Sequence, residues 1–73
     1  MRTLFTMRSM TYAQKGQKIL ERNWISSGVV RTPEQYASRG CSYGILVRGD
    51  VDKAAELLAA AGIEVLGKYP YNG

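Results

Sequence analysis

The amino-acid sequence predicts an α+β fold with the element order βαββαβ. Four short apolar or alternating runs have strand length, and two other stretches carry apolar residues at helical spacing between recognisable caps. The connections are too short for anything but neighbouring placement.

Arg2 to Met7 (RTLFTM) is short, aromatic and apolar, as a buried first strand requires. Thr11 and Gln14 form a T-x-x-Q capping box, so a first helix is expected to open there. Ala13, Gly16, Ile19 and Leu20 fall on its inner side, and Asn23 is expected to close it as a left-handed cap. Ile25 to Arg31 (ISSGVVR) reads as the second strand, weakened by Ser26, Ser27 and Gly28 and hence expected at an edge of the sheet; Thr32-Pro33 ends it. Pro33 to Ser42 is too polar for core and is expected to form one short helical turn followed by a loop. Tyr43 to Arg48 (YGILVR) has three consecutive aliphatic residues, the mark of a central strand. Asp50 is the expected cap of a second helix with Val51, Ala54, Leu58 and Ala61 inward and Gly62 as C-cap. Ile63 to Tyr69 alternates as a fourth strand, and the chain from Pro70 onward is expected as a tail. This order is the split βαβ, ferredoxin-like pattern: a four-stranded antiparallel sheet in the order 4-1-3-2 with both helices on one face. A shift of 38 residues pairs Lys15, Ile19, Leu20 and Ile25 with Lys53, Leu57, Leu58 and Ile63, a weak echo of two similar βαβ halves.

Seventy-three residues leave room for a single domain, expected to span residues 1–73. With 45% apolar and 22% charged residues the chain has the balance of one that folds. The absence of histidine and the presence of one cysteine exclude a Ser-His-Asp or Cys-His nucleophile system, a Cys/His zinc site and an internal disulfide, so no metal or resident cofactor is expected. Apolar runs fall far short of the roughly 18 to 20 residues of a membrane-spanning helix and no signal pattern precedes them, which points to a cytoplasmic protein. A domain of this size buries only about 60% of its unfolded surface and has no covalent staple, so self-association as a homodimer is one expectation.

The charge of +4 is unevenly spread. Residues 1–48 hold eight Arg and Lys against Glu21 and Glu34, a balance of +6, whereas residues 49–73 hold two Lys against four acids, a balance of −2. The first two-thirds therefore attracts anions. In the expected topology the loop between the second and third strands, which contains Cys41, lies at the sheet end where the first strand finishes and the first helix begins. The unpaired N–H groups of that helix, around Ser9, Met10, Thr11 and Tyr12, are expected to face this corner, together with Arg8, Arg31 and Arg39. A free thiol ionises at about pH 8.5, and a helix terminus together with one or two nearby guanidinium groups is enough to bring a substantial thiolate fraction to neutral pH. Gly40 and Gly44 suit an approachable loop. The alternative is a cysteine acting as a minor hydrophobe; its neighbours Ser38, Arg39, Gly40 and Ser42 are not core residues and favour accessibility. Asp50, Asp52 and Glu56 read as cap and dipole residues rather than an acidic site. Tyr12, Tyr36 and Tyr43 read first as packing residues, and Trp24 as core.

The run SMTYAQKGQKIL after the first strand, then VVRTPEQYASRGCSYGILV, then AAGIEVLG at the end of the second helix, resembles the small bacterial selenium/sulfur carrier-like proteins over nearly the whole chain. Ser9 or Thr11, Arg31, Pro33, Gly40 and Cys41 occupy the places of that family's recurrent residues; many members follow the cysteine directly with glycine, where this chain has Ser42. The resemblance implies a carrier rather than a free-standing enzyme, with Cys41 holding a persulfide or perselenide and Arg8, Ser9, Thr11, Arg31, Arg39 and Gly40 binding around it. It implies a donor such as a cysteine desulfurase and an acceptor protein as partners. Two rival readings remain. One is an RNA-binding module, since the same topology serves the RNA-recognition domain and Leu4-Phe5 and Arg39 to Leu46 partly echo its strand motifs; the aromatic positions are here Cys41, Tyr43 and Leu46, which disfavours nucleic acid. The other is a regulatory module that binds a small anion at the first helix.

Overall fold

The computed structural model describes residues 2–33 and 43–71. The elements follow in the order β1 (Arg2–Met7), α1 (Met10–Arg22), β2 (Ser26–Arg31), β3 (Tyr43–Arg48), α2 (Val51–Ala60) and β4 (Gly67–Tyr71). The sheet has the order β2-β3-β1-β4 with every neighbouring pair antiparallel, which is the ferredoxin-like topology. β1 and β3, the two most apolar strands, take the centre, and the serine- and glycine-bearing β2 takes an edge.

Strand alternation divides the sheet into two faces. Phe5 and Met7 of β1 and Ile45 and Val47 of β3 share one face and join Ala13 and Leu20 of α1 and Ala54 and Leu58 of α2 in a single core, so both helices lie on that side. Gly16 lets α1 approach closely, because a Cβ there would come within 2.6 Å of Ile45 Cδ1 and 3.0 Å of Leu58 Cδ2. On the opposite face Leu4, Thr6 and Leu46 are also buried. Gly44 makes room there, since a Cβ would meet the Phe5 carbonyl oxygen at 2.6 Å and Leu4 Cδ1 at 3.0 Å.

The two helices end in the same way. In α1, Ile25 N–H donates to Leu20 O (2.9 Å) and Trp24 N–H to Glu21 O (3.1 Å); in α2, Ile63 N–H donates to Leu58 O (2.9 Å) and Gly62 N–H to Ala59 O (3.0 Å). Each is a Schellman motif, and in each the isoleucine beyond the turn is buried against the leucine-bearing core. The motif requires a left-handed residue at its centre, supplied by Gly62 (φ 77°) in one case and by Trp24 (φ 61°) in the other.

Several expectations at element ends are corrected. The first helix opens at Ser9, not Thr11: Ser9 is extended and its hydroxyl accepts the Tyr12 N–H at 3.4 Å, because only Arg8 and Ser9 separate β1 from α1. Asn23 is not left-handed; its side-chain amide donates to Ile19 O at 2.8 Å and the left-handed position passes to Trp24. Trp24 is not core but 96% exposed, since the turn gives the inward position to Ile25. Ala61 is the C-cap of α2 and exposed, with Gly62 the left-handed residue after it. β2 begins at Ser26 rather than Ile25. The fourth strand is Gly67–Tyr71 instead of Ile63 to Tyr69, because Ile63 is used to close the Schellman motif and pairing with β1 starts only near Leu66, whose N–H donates to Thr6 O at 3.0 Å. Pro70 is thus a strand residue, and at an edge its missing N–H costs the sheet nothing. The expected helical turn after Pro33 lies outside the described residues. No helix among the described residues is long and apolar enough to cross a membrane.

Candidate functional site

Register fixes where the strand ends meet. Tyr43 pairs with Met7 on one side and with Arg31 on the other, so the end of β1, the end of β2 and the start of β3 form one row at one end of the sheet. α1 begins at this end, three residues after Met7, and α2 finishes at it. Arg8, Ser9 and Thr11 therefore share a corner with Arg31, as the chain order implies. The candidate residues Arg39, Gly40 and Cys41 lie outside the described residues; Cys41 precedes Tyr43 by two positions in the sequence.

The chemistry of the described corner is specific to each residue. Ser9 is committed to capping: its hydroxyl accepts from Tyr12 and its carbonyl accepts the Ala13 N–H at 3.1 Å. Thr11 is exposed in the first turn, beside N–H groups that an α-helix leaves without intrahelical partners. No acidic residue occupies the first turn of α1, so the positive end of the helix is not neutralised from within it. Arg31 is exposed at the end of β2. Arg8 is not a free cation, because its Nη2 lies 3.7 Å from Glu64 Oε2, with the two side chains 69% and 70% exposed. A pair so open to water holds weakly, but it places a negative charge beside Arg8.

Glu64 is the residue that sequence reasoning missed. In the irregular segment between α2 and β4 it lines a small cleft with Arg8, Tyr12 and Gly62. The only available signal was Gly62, whose left-handed turn after a helix redirects the chain. Two other candidates are settled by the fold. Tyr43 faces the helices and packs against the core, and Asp50 caps α2 by accepting the Lys53 N–H at 3.0 Å. Thr32, next to Arg31, is only 6% exposed, and among the described residues its hydroxyl has no hydrogen-bond partner. Among the described residues no group of three or more His, Cys, Asp or Glu side chains is placed to hold a metal ion.

Comparison with curated proteins and with solved structures found no match. Comparison with family models did, over residues 2–70, and so across every strand and helix except the last residue of β4. The chain belongs to the family described as "Putative Se/S carrier protein-like".

Proposed function

We propose that the protein carries sulfur or selenium on Cys41 and passes it between a donor and an acceptor protein. Membership of the carrier-like family over residues 2–70 carries this reading, because a carrier needs one nucleophilic thiol and this chain has one cysteine. In the transfer, the Cys41 thiolate attacks the outer sulfur of a persulfide on the donor. A new S–S bond forms, the donor's S–S bond breaks, and the donor leaves as a thiolate. One persulfide and one thiol are consumed and one of each is produced, so no external oxidant is required. Attack by an acceptor thiolate reverses the step. The exposed Arg31 and the unneutralised start of α1 support the reading, since they suit both a thiolate and the anionic adduct.

Incubation with a cysteine desulfurase and cysteine, followed by intact mass, tests it. The expected product is heavier by one sulfur atom and is absent in Cys41→Ser. No adduct, or one that survives in Cys41→Ser, overturns the proposal. Alkylation of the thiol is expected to reach half its maximal rate below the pH of an ordinary free thiol, and Arg31→Ala to move that point upward. The RNA-binding reading loses support from Tyr43, whose ring is packed toward the helices instead of being presented on the open face of the sheet for base stacking.

A further inference from the structure

We propose that the outer face of α1, with Trp24 just beyond it, is the surface on which the protein donor of sulfur or selenium docks. The donor meets it with an acidic patch and an apolar seat for the indole. This rests on the carrier reading of Cys41. Thr11, Lys15, Lys18 and Arg22 are all exposed and follow one another by four, three and four positions, the spacing of one helix face. That face lies opposite the buried Ala13, Gly16 and Leu20. The outer face of α2 is mixed instead, with Asp52, Lys53 and Glu56 exposed.

Two features of this surface are unfavourable for the chain alone. Lys15 and Lys18 are three residues apart, and Lys18 and Arg22 four, so like charges face each other across successive turns. Among the described residues the ion pair is that of Arg8 with Glu64, and Lys15, Lys18 and Arg22 have none. The carbonyl end of the helix accounts for Arg22, in the last turn, but not for the two lysines. The second feature is Trp24. Its backbone is held at φ 61°, which disfavours any L side chain, and its indole is left in water. The matching position of the other Schellman motif holds Gly62, the residue that stability alone selects. A strained, exposed tryptophan at the end of an unpaired cationic stripe is the pattern of an electrostatically steered interface with one anchor.

The donor is the occupant because of where the stripe begins and what charge it carries. α1 starts at the corner formed by Met7, Arg31 and Tyr43, and Cys41 is two positions before Tyr43 in the sequence. A standard protein interface covers about 800 Å² on each side, a patch about 28 Å across, whereas the 13 residues of α1 span about 20 Å. A donor that reaches the corner is therefore wide enough to cover the helix as far as Trp24. Acidic groups on it are drawn to the stripe, and the anionic cargo arrives at the helix end that favours anions. A nucleic acid suits the lysines but not the far end, where exposed Glu21 and the carbonyl end of the helix offset Arg22 and disfavour phosphate beside the indole.

Binding kinetics of the full chain on a cysteine desulfurase, with no cysteine present, measure docking apart from transfer. Intact mass then follows persulfide formation from the loaded desulfurase and from glutathione persulfide, a small donor that needs no docking surface. The double variant Lys15→Glu, Lys18→Glu is expected to slow association by about tenfold or more, and high salt to slow it likewise in the unaltered chain. Trp24→Gly, which should not harm folding, is expected to speed dissociation by about tenfold or more, the scale of one lost anchor. Both variants should load slowly from the desulfurase and at the unaltered rate from glutathione persulfide. Binding and loading from the desulfurase that neither variant changes overturn the docking surface and leave the carrier reading standing. An adduct from neither donor overturns the carrier reading and the docking surface with it. A desulfurase that does not bind, or a single-stranded RNA oligonucleotide that binds more tightly through the same two lysines, also overturns the proposal.

Discussion

The ends of α1 and α2 are the same piece of structure built from different residues. Leu20, Trp24 and Ile25 in one correspond to Leu58, Gly62 and Ile63 in the other, all offset by 38 positions, with matching backbone hydrogen bonds and matching burial of the leucine and isoleucine. Only the central residue departs from the rule, and it does so at one end alone. Where two halves of a chain share a motif, the half that obeys local energetics serves as an internal control for the half that does not. The control identifies the apolar pair as the part both halves need and Trp24 as the part that helix termination does not explain.

The largest expected effect tests the shared part. Leu20→Ala and Leu58→Ala should each cost about 2 to 5 kcal/mol, a large fraction of the roughly 5 to 15 kcal/mol that holds a typical domain together. Urea denaturation should show the two losses to be alike; a mild Leu58→Ala beside a severe Leu20→Ala would break the equivalence of the halves. Exchange of the central residue should have the next largest effect, with opposite signs at the two ends. Gly62→Trp should lower stability by about 1 to 2 kcal/mol, while Trp24→Gly should raise that of the monomer by up to about 1 kcal/mol, part of the gain being offset by the greater freedom of glycine in the unfolded chain. Thermal melts at low protein concentration would measure both, and a loss on Trp24→Gly would mean that the indole has contacts within its own chain. The smallest effect concerns the opposite ends of the helices. Asp50→Ala should cost about 1 kcal/mol and Ser9→Ala less, because the Asp50 carboxylate accepts at 3.0 Å and favours the helix dipole, whereas the Ser9 hydroxyl accepts at 3.4 Å without a charge. Equal losses at the two caps would show that charge and distance do not distinguish them.

Much of this architecture was legible in the residues. The order of elements, the central place of Tyr43–Arg48, the edge place of the second strand and the Asp50 cap rest on signals a few residues long, and the structure bears them out. The site was legible to the extent that it depends on connectivity: Arg8, Ser9, Thr11 and Arg31 share an end of the sheet because alternating strand directions leave no other outcome. Glu64 was not legible, because its place beside Arg8 depends on how far the chain runs after α2 before it pairs with β1. That distance is set by Ile63 entering the core, a choice between two apolar neighbourhoods that alternation alone does not decide.

Trp24 shows the limit most clearly. Hydrophobicity assigns a tryptophan to the core, and only the completed turn, in which Ile25 and not Trp24 reaches Leu20, sends it into water. By itself the sequence determined the fold class, the order of strands and helices and the family, since periodicity, caps and the overall residue pattern are local or summed along the chain. Tertiary structure alone decided which cation has an acidic partner, which serine or threonine caps the first helix and which large side chain is left outside. Those outcomes depend on distances between residues far apart in the chain, and such distances exist only after the sheet has closed and the helices have packed against it.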